Sequence, residues 1–208
     1  MQTNASLIQG LKRKGVLNSD NITAAFLAVD RKDFVPLELQ EDAYDDTALP
    51  IGGGQTISQP YTVAFMLKLL NVEEGNCVLE VGYGSGWQTI LLSHLVGKNG
   101  KVHAFEIVKE LCEFGNENIK KYPELFVRVD LRCQSAESGF SSAGPFDRII
   151  VAAEVKKVPE AWRQQLAKGG RMVYPHDNAL ILEEKLPDGA FETKTYPGFV
   201  FVPFVYKG

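Results

Sequence analysis

Residues 77–87 read CVLEVGYGSGW, and the prediction of the fold rests on this stretch. It begins as a short apolar run of the kind that forms a buried strand, and it continues into three glycines at alternate positions, Gly82, Gly84 and Gly86. Helical spacing follows from Trp87 to Leu95. A strand that turns through glycines into a helix presents backbone N–H groups and a helix N-terminus to a ligand, and a Cβ would block close approach. The stretch therefore predicts a site for a nucleotide-type cofactor.

The glycine spacing argues against a dinucleotide. The fingerprint G-x-G-x-x-G needs a third glycine at position 87, where this chain has Trp87. A dehydrogenase is therefore the least favoured cofactor enzyme, and a tight turn without any ligand is the alternative that the motif alone leaves open. Glu106 ends the next strand-like run, 24 residues after Gly82, near the spacing at which a carboxylate accepts hydrogen bonds from ribose hydroxyls. Its alternative is a solvated carboxylate at a strand end.

Strand-like and helical runs alternate along the rest of the chain. We predict strands at 101–107, 126–133, 146–152 and 171–175, and helices at 108–122 and 159–167, the last ended by Gly169 and Gly170. Two more strands, 180–186 and 193–205, flank a PDG turn. The predicted fold class is α/β: a doubly wound, mostly parallel, Rossmann-like sheet with an antiparallel C-terminal edge hairpin and N-terminal helices.

The part of the chain before the glycine stretch has a different pattern. Two short helices are expected on either side of Asp20, and another from Thr62 to Leu70. Between them, residues 36–60 have neither a helical nor a strand period and contain LPIGGGQTISQP, which predicts an ordered loop. We expect one domain over residues 1–208, with helices and this loop at 1–75 and the cofactor-binding core at 76–208.

The composition is that of a soluble globular protein, with 45% hydrophobic and 23% charged residues. A net charge of −4 with dispersed Lys and Arg argues against a nucleic-acid partner. No apolar run reaches the roughly 18 residues that span a bilayer, and the first twenty residues lack a signal-peptide core, so we expect a cytoplasmic protein without a membrane partner. No pattern demands a dimer, and we expect a monomer. Cys77, Cys112 and Cys133 are odd in number and widely spaced, which predicts neither a disulfide framework nor a metal site.

Residues 43–61, with LPIG at 49–52 and QTISQP at 55–60, resemble the substrate and cofactor loop of the protein-L-isoaspartate(D-aspartate) O-methyltransferase family. The resemblance continues in the family's order through the glycine stretch, which matches motif I of class I S-adenosylmethionine-dependent methyltransferases. It then includes PFDRIIVAA at 145–153, VPEAWRQQLAKGGRMVYP at 158–175 and FVFVPFV at 199–205. Almost the whole chain is covered.

The resemblance implies methyl transfer from S-adenosyl-L-methionine to the α-carboxylate of L-isoaspartyl residues in damaged proteins and peptides, a repair reaction. The family pattern makes Ser58 the catalytic residue, which donates a hydrogen bond to the substrate carboxylate; its alternative role is to satisfy the loop backbone. The residues implied for the cofactor are Glu80, Gly82, Gly84, Gly86, Glu106, Gln134 and Ser135. Those implied for the substrate are Thr56, Ile57, Ser58 and Ala153.

The chemistry of the acceptor agrees with the absence of a Ser-His-Asp or Cys-His set. A carboxylate with an unperturbed pKa of about 4 is already an anionic nucleophile at neutral pH, and the sulfonium of the cofactor carries an activated methyl. No general base is required. Catalysis would then rest on holding the carboxylate in line with the methyl in a dry site, where positioning can supply about 7–11 kcal/mol.

Several positions depart from the family pattern. Gln134-Ser135-Ala136 stands where Gly-Asp-Gly is common, and losing a charged acceptor is expected to weaken adenine binding by about 1.5–3 kcal/mol. The other departures are Tyr83, Ala152-Ala153-Glu154 and Pro175-His176-Asp177. A carboxylate at Glu154 would repel an anionic substrate, and His176 is expected to reach the rim of the site. Two alternatives therefore stay open: a methyltransferase of the same fold acting on a different peptide carboxylate, and a catalytically silent binding protein.

Overall fold

The structure is a computed structural model that describes residues 2–206; Met1, Lys207 and Gly208, at the ends of the predicted domain, lie outside the described residues. Its strands are β1 (Leu49–Gly52), β2 (Gln55–Ile57), β3 (Cys77–Val81), β4 (Lys101–Glu106), β5 (Val129–Cys133), β6 (Phe146–Val151), β7 (Leu166–His176), β8 (Ala179–Lys185) and β9 (Phe191–Pro197). Its α-helices are α1 (Asn4–Arg13), α2 (Asp20–Ala28), α3 (Pro60–Leu70), α4 (Trp87–Leu95), α5 (Lys109–Ile119), α6 (Pro123–Phe126) and α7 (Glu160–Gln165). Short 3-10 helices cover Arg31–Phe34 and Leu37–Leu39.

Seven strands form one sheet in the order β5-β4-β3-β6-β7-β8-β9. Strands β3 to β7 are parallel, whereas β8 and β9 join antiparallel at the edge. The predicted fold class is confirmed. The strand order reverses between β3 and β6, and in open α/β sheets the crevice at the carboxyl ends of the strands at such a point is where ligands bind.

The alternation of side chains along the central strands divides the core in two. On one face, Val78 and Val102 belong to the cluster that includes the buried residues of α1 to α5. On the other face, Leu79 and Phe105 pack with the buried Trp162 of α7. Strand residues of opposite parity point to opposite faces, so a run that is apolar at consecutive positions needs cover on both sides. Helices on both faces provide that cover.

The end of α7 differs from the prediction. The helix ends at Gln165, β7 begins at Leu166, and Gly169 and Gly170 lie inside the strand rather than stopping a helix. The pairing of β7 with β6 is irregular there, and Gly169 has φ of +75°. Pairing with β6 therefore overrides the glycine stop signal, and the glycines accommodate a bulge.

Three further boundaries were also wrong. The predicted helix at 108–122 ends at Ile119, because Pro123 begins a separate short helix, and β5 starts at Val129 rather than at residue 126. The last strand ends at Pro197 instead of continuing to residue 205, and Gly198 follows with φ of +97°. The segment 199–205 leaves the sheet edge and becomes part of a cavity wall.

The predicted loop at 36–60 contains a hairpin that was not predicted. Strands β1 and β2 pair antiparallel, with Leu49 opposite Ile57. The turn between them uses Gly52, Gly53 and Gly54, all with positive φ, which favours glycine. The strands are only four and three residues long, so no period of two could be recognised in the sequence.

The expectation of no disulfide was wrong, because Cys112 and Cys133 form one, with their Cα atoms 5.7 Å apart. Cys112 lies in α5 and Cys133 ends β5, so the βαβ crossover brings together two residues that are 21 apart in sequence. Cys77 is free. Within residues 2–206, no cluster of His, Cys, Asp and Glu could hold a metal ion, and none of the helices described is long and apolar enough to cross a membrane.

Candidate functional site

The cofactor loop, residues 82–87, connects β3 to α4 and is fixed by short backbone bonds. The N–H groups of Gly82 and Tyr83 donate to the carbonyl of Phe105 at 2.8 and 3.1 Å. Gly86 is the N-cap of α4 and has φ of +86°, and a Cβ there would lie 2.6 Å from the Ile119 side chain. A side chain at position 86 would therefore be strained and also blocked by α5.

Glu106 holds the other side of the loop. One carboxylate oxygen accepts from the N–H of Gly84 at 3.0 Å, and the other accepts from Ile107 and Val108 at 2.7 and 2.9 Å. A carboxylate has about four acceptor positions. Three are in use, so Glu106 can still accept a hydrogen bond from a ligand hydroxyl in the cavity that it lines.

Glu80 lies elsewhere than expected. Its carboxylate is fully buried beneath α4 and is not among the described residues that line the cavity. Oε1 accepts from the side-chain amide of Gln88 at 3.1 Å, whereas Oε2 has no hydrogen-bond partner among the described residues. Burial raises the pKa of Glu80 to about 7, against the opposing effect of the Thr89 hydroxyl and the Gln88 amide. Gln88 does line the cavity, so the hydrogen bond of Gln88 connects Glu80 to the cavity wall.

Tyr83, where the family pattern has Thr, is accommodated by α5. Its hydroxyl donates to the carbonyl of Cys112 at 3.3 Å. Burial, together with the charges of Glu106 and Glu80, raises the pKa of Tyr83 to about 12. A Cβ on Gly115 would lie 2.5 Å from the carbonyl oxygen of Gly84 and 2.9 Å from the Tyr83 ring. The missing side chain at Gly115 therefore lets the helix approach the cofactor loop.

A cavity opens at the carboxyl ends of β3, β4, β5 and β6, where the strand order reverses. It brings together nine of the eleven predicted site residues: Thr56, Ile57, Ser58, Gly82, Gly84, Glu106, Gln134, Ser135 and Ala153. Glu80 and Gly86 are outside the described lining, and act on it through Gln88 and through the position of α4.

A second depression, the aromatic groove, continues from this cavity. Its aromatic residues are Tyr61, Phe65, Tyr196, Phe199 and Phe201. Phe65 stacks on Phe199 with ring centroids 5.2 Å apart. The cavity and the groove share the lining residues Thr56, Ser58, Ala152 and Val202. A molecule in the cavity and another in the groove would therefore meet beside Ser58.

Ser58 lies in the acceptor loop, residues 43–61, directly after β2. Its backbone carbonyl accepts a hydrogen bond from Arg31 at 3.2 Å. No hydrogen bond of its hydroxyl is found among residues 2–206, which disfavours the alternative that this serine serves to satisfy the loop backbone. The hydroxyl is free to donate to a ligand at the junction.

The remaining departures from the family pattern separate into two groups. Ser135 and Ala152 line the cavity, but Glu154 and Asp177 are outside the described lining of both depressions. The backbone of Glu154 pairs instead with the C-terminal segment, its N–H donating to Val202 at 2.7 Å. His176 Nδ1 donates to the carbonyl of Val155, 2.8 Å away, and the side chain is outside the described lining of the cavity. The predicted repulsion by Glu154 therefore has no support in the geometry.

Sequence reasoning missed two contributions to the site. Val202 to Val205 form a wall of the cavity, although their segment was predicted as a strand. Ile107, Val108 and Leu111 line it as well, just after Glu106. The available signal was position: residues that follow the carboxyl end of a parallel strand lie at the same edge of the sheet.

The chain was compared with known families and proteins. The model of the Protein-L-isoaspartate(D-aspartate) O-methyltransferase (PCMT) family matches residues 2–208. A protein-L-isoaspartate O-methyltransferase of Methanopyrus kandleri is 40% identical over 204 residues, covering 96% of this chain and 89% of the relative. The enzyme of the same name from Thermococcus onnurineus is 40% identical over 205 residues, covering 95% and 91%.

Solved structures show the same relationship. One protein-L-isoaspartate O-methyltransferase superposes with a TM-score of 0.87 at 28% identity and covers 98% of this chain and 66% of its own. The beta-aspartate methyltransferase (PCMT) from Plasmodium falciparum, in complex with S-adenosyl-L-homocysteine, superposes with a TM-score of 0.84 at 29% identity and covers 98% of both chains.

Proposed function

Because the chain belongs to the protein-L-isoaspartate(D-aspartate) O-methyltransferase family, we propose that it transfers a methyl group from S-adenosyl-L-methionine to the α-carboxylate of L-isoaspartyl residues in damaged proteins and peptides. The methyl ester then closes spontaneously to a succinimide, whose hydrolysis restores some normal aspartate. One observation carries the proposal for this chain: a cavity bounded by the cofactor loop opens, beside Ser58, into a groove lined by aromatic residues.

The residues of the cavity fit S-adenosyl-L-methionine, which supplies an activated methyl on a sulfonium. The cofactor loop leaves backbone without side chains at Gly82 and Gly84, and Glu106 retains acceptor capacity for the ribose hydroxyls. Gln134 and Ser135 line the part of the cavity beyond β5 and would contact the adenine. Above a pH of about 7, Glu80 would place negative charge behind Gln88, which favours the cationic methionine end.

Ser58 is the residue we assign to the acceptor. Its free hydroxyl would donate to one oxygen of the isoaspartyl carboxylate, leaving the other oxygen directed into the cavity. Thr56, Ile57 and Ala153 surround this position and exclude water. An ionised carboxylate needs no base, so these residues act by orienting the nucleophile.

The aromatic groove would hold the peptide on either side of the isoaspartyl residue. Its described lining contains no charged side chain, and Tyr61, Phe65 and Phe199 offer apolar faces. Apolar neighbours of the damaged residue would bury surface against these rings, whereas acidic neighbours would lose hydration without gaining a partner. We therefore expect a preference for uncharged sequence around the isoaspartyl residue.

Four further properties remain predictions. We propose that residues 1–208 act as one methyltransferase domain, that the enzyme is a monomer in the cytoplasm, and that nucleic acid is not its partner, the last supported by the net charge of −4. Light scattering of the purified protein tests the monomer, and cell fractionation tests the location.

The activity is tested by transfer of radiolabelled methyl to two peptides that differ only in L-isoaspartate or ordinary aspartate, with base-labile label counted as ester. We expect label in the isoaspartyl peptide alone. Label in the aspartyl peptide would instead support the alternative acceptor. If S-adenosyl-L-homocysteine binds and neither peptide is labelled, the chain is the catalytically silent binding protein of the second alternative.

A further inference from the structure

Arg31 is an arginine without any exposed surface. It begins a 3-10 helix after α2, and its relative exposure is 0%. Arginine is almost never fully buried unless its donors are paired. No carboxylate lies within ion-pair distance of Arg31 among residues 2–206. Burial lowers the pKa of Arg31 to about 10, partly offset by Asp46 and Asp45, so the guanidinium stays charged at neutral pH.

Arg31 donates four hydrogen bonds to backbone carbonyls of the acceptor loop. Nη1 donates to the carbonyls of Ala43 and Asp45 at 2.8 and 3.2 Å. Nη2 donates to the carbonyls of Thr47 and Ser58 at 2.9 and 3.2 Å. A guanidinium presents its donors in one rigid plane, so four bonds to it fix the relative positions of the two ends of the loop. The Nε–H has no acceptor among the described residues. The four carbonyls are therefore the hydrogen-bond partners that hold the guanidinium in place.

The same side chain also contacts the cofactor side of the site. The guanidinium carbon lies 5.4 Å from the centre of the Trp87 ring, within the distance of a cation–π contact. Trp87 is the first residue of α4 and lines the cavity. Arg31 therefore joins the segment that carries Ser58 to the helix that starts from the cofactor loop.

We propose that Arg31 is a positioning residue for methyl transfer: its guanidinium holds the acceptor loop against Trp87 and thereby sets the distance between the carboxylate at Ser58 and the methyl in the cavity. This inference rests on the proposed function. Arg31 touches neither reactant, since it is not part of the described lining of the cavity or groove. It acts through the backbone of Ser58, where a small displacement can cost a large factor in rate.

The first test is Arg31→Lys, which keeps the charge but replaces the rigid fork by a single ammonium that cannot hold four carbonyls. The matched control is Arg148→Lys. Arg148 is also buried and donates to two backbone carbonyls, those of Asn71 and Asp147, but it is outside the described lining of the site. For each, kcat and KM with an isoaspartyl peptide, the Kd of S-adenosyl-L-homocysteine and the melting temperature are measured.

We expect Arg31→Lys to lower kcat at least about ten-fold while the Kd changes less than about three-fold, because Gly82, Gly84 and Glu106 are held by other elements. Arg148→Lys should lower the melting temperature and leave kcat within about two-fold. The inference is overturned if folded Arg31→Lys keeps its kcat, or if both variants lose kcat equally, since the role of Arg31 would then be structural only.

A second measurement does not depend on a folded variant or on activity. In side-chain NMR of the wild-type protein, the four Nη protons of Arg31 should be separate signals that exchange far more slowly than those of the exposed Arg13. Exchange as fast as that of Arg13 would show that the four bonds do not persist, and would overturn the inference. Wild-type protein that passes this test but labels no isoaspartyl peptide would contradict the proposed function and leave the four-carbonyl contact intact.

Discussion

The cofactor loop and the acceptor loop line the same cavity but are held by different bonds. In the cofactor loop, Gly82 and Gly84 bond to Phe105 and Glu106 on the adjacent strand β4. The acceptor loop has the short hairpin β1–β2 and internal bonds from Gln59 and Tyr61 to Asp46. Among the side chains that bind it from outside, the buried Arg31 makes four bonds to its backbone. A loop fixed by neighbouring strands leaves a compact motif in the sequence, whereas a loop fixed by a distant guanidinium leaves none.

The largest effect is expected at Gly115, where α5 approaches the cofactor loop. Gly115→Ala places a Cβ 2.5 Å from the carbonyl oxygen of Gly84, so the backbone of the loop must move. We expect a loss of about 3 kcal/mol in the free energy of unfolding and a cofactor Kd raised more than about ten-fold, measured by urea denaturation and calorimetry. Gly10→Ala is the control: nothing lies within 4 Å of that position in α1, and alanine should stabilise the helix by about 0.5–1 kcal/mol. Equal behaviour of the two variants would show that the loop tolerates displacement.

The next effect depends on pH and arises beneath the cofactor loop, at Glu80. Its folded pKa of about 7 lies above the usual glutamate value of 4.5, so between these pH values the folded state holds a proton that the unfolded state has lost. Wild-type stability from this group is complete below about pH 4.5 and is lost as the pH rises to about 7. Glu80→Gln lacks this titration and should gain stability relative to wild type, by about 2 kcal/mol more at pH 8 than at pH 5. Urea denaturation at both pH values measures it, and a difference that does not change with pH would mean that Glu80 is already ionised in the folded protein at pH 5.

The third effect is that of Ser58→Ala in the acceptor loop. Removing the hydroxyl should lower kcat about ten-fold. A hydrogen bond to a charged group is worth about 1.5–3 kcal/mol, and in the variant a water molecule that binds the carboxylate would restore part of that energy. The Kd of the cofactor should stay within about two-fold, since Ser58 lies at the junction with the groove. Steady-state kinetics measure kcat, and calorimetry measures the Kd. Ser142→Ala is the control, because this serine is exposed and lies outside the described lining. Equal losses in kcat and affinity would remove the distinct role given to Ser58.

The smallest effect concerns the aromatic groove. An isoaspartyl peptide with leucine neighbours should have a KM about three-fold below that of the same peptide with glutamate neighbours, because apolar side chains bury surface on the rings. Phe199→Ser should reduce this ratio, while Phe191→Ser, in β9 and outside the groove, should leave it unchanged. If the ratio of the two KM values is the same in wild type and Phe199→Ser, the neighbours of the damaged residue do not bind in the aromatic groove.

The two loops also differ in how well sequence reasoning described their residues. Gly82, Gly84 and Glu106 were assigned from their positions at strand ends, and the structure brings them into one cavity. Glu80 was assigned to cofactor binding by the family pattern, but it faces α4 because it has the parity of Val78 rather than that of Leu79 and Val81. Ser58 was found only through resemblance, since a short, irregular loop has no period to interpret.

The alternation of strands and helices, the parallel sheet and the glycine turn at Gly82 could be predicted from the sequence, because side-chain periodicity and the φ preference of glycine are properties of neighbouring residues. Three features could not be predicted without the folded structure: the Cys112–Cys133 disulfide, the four bonds of Arg31 and the wall formed by residues 202–205. These contacts join residues that are far apart along the chain, and their geometry depends on how the strands and helices pack. Local patterns therefore predicted the frame of the site, and packing determined how the acceptor loop is held against it.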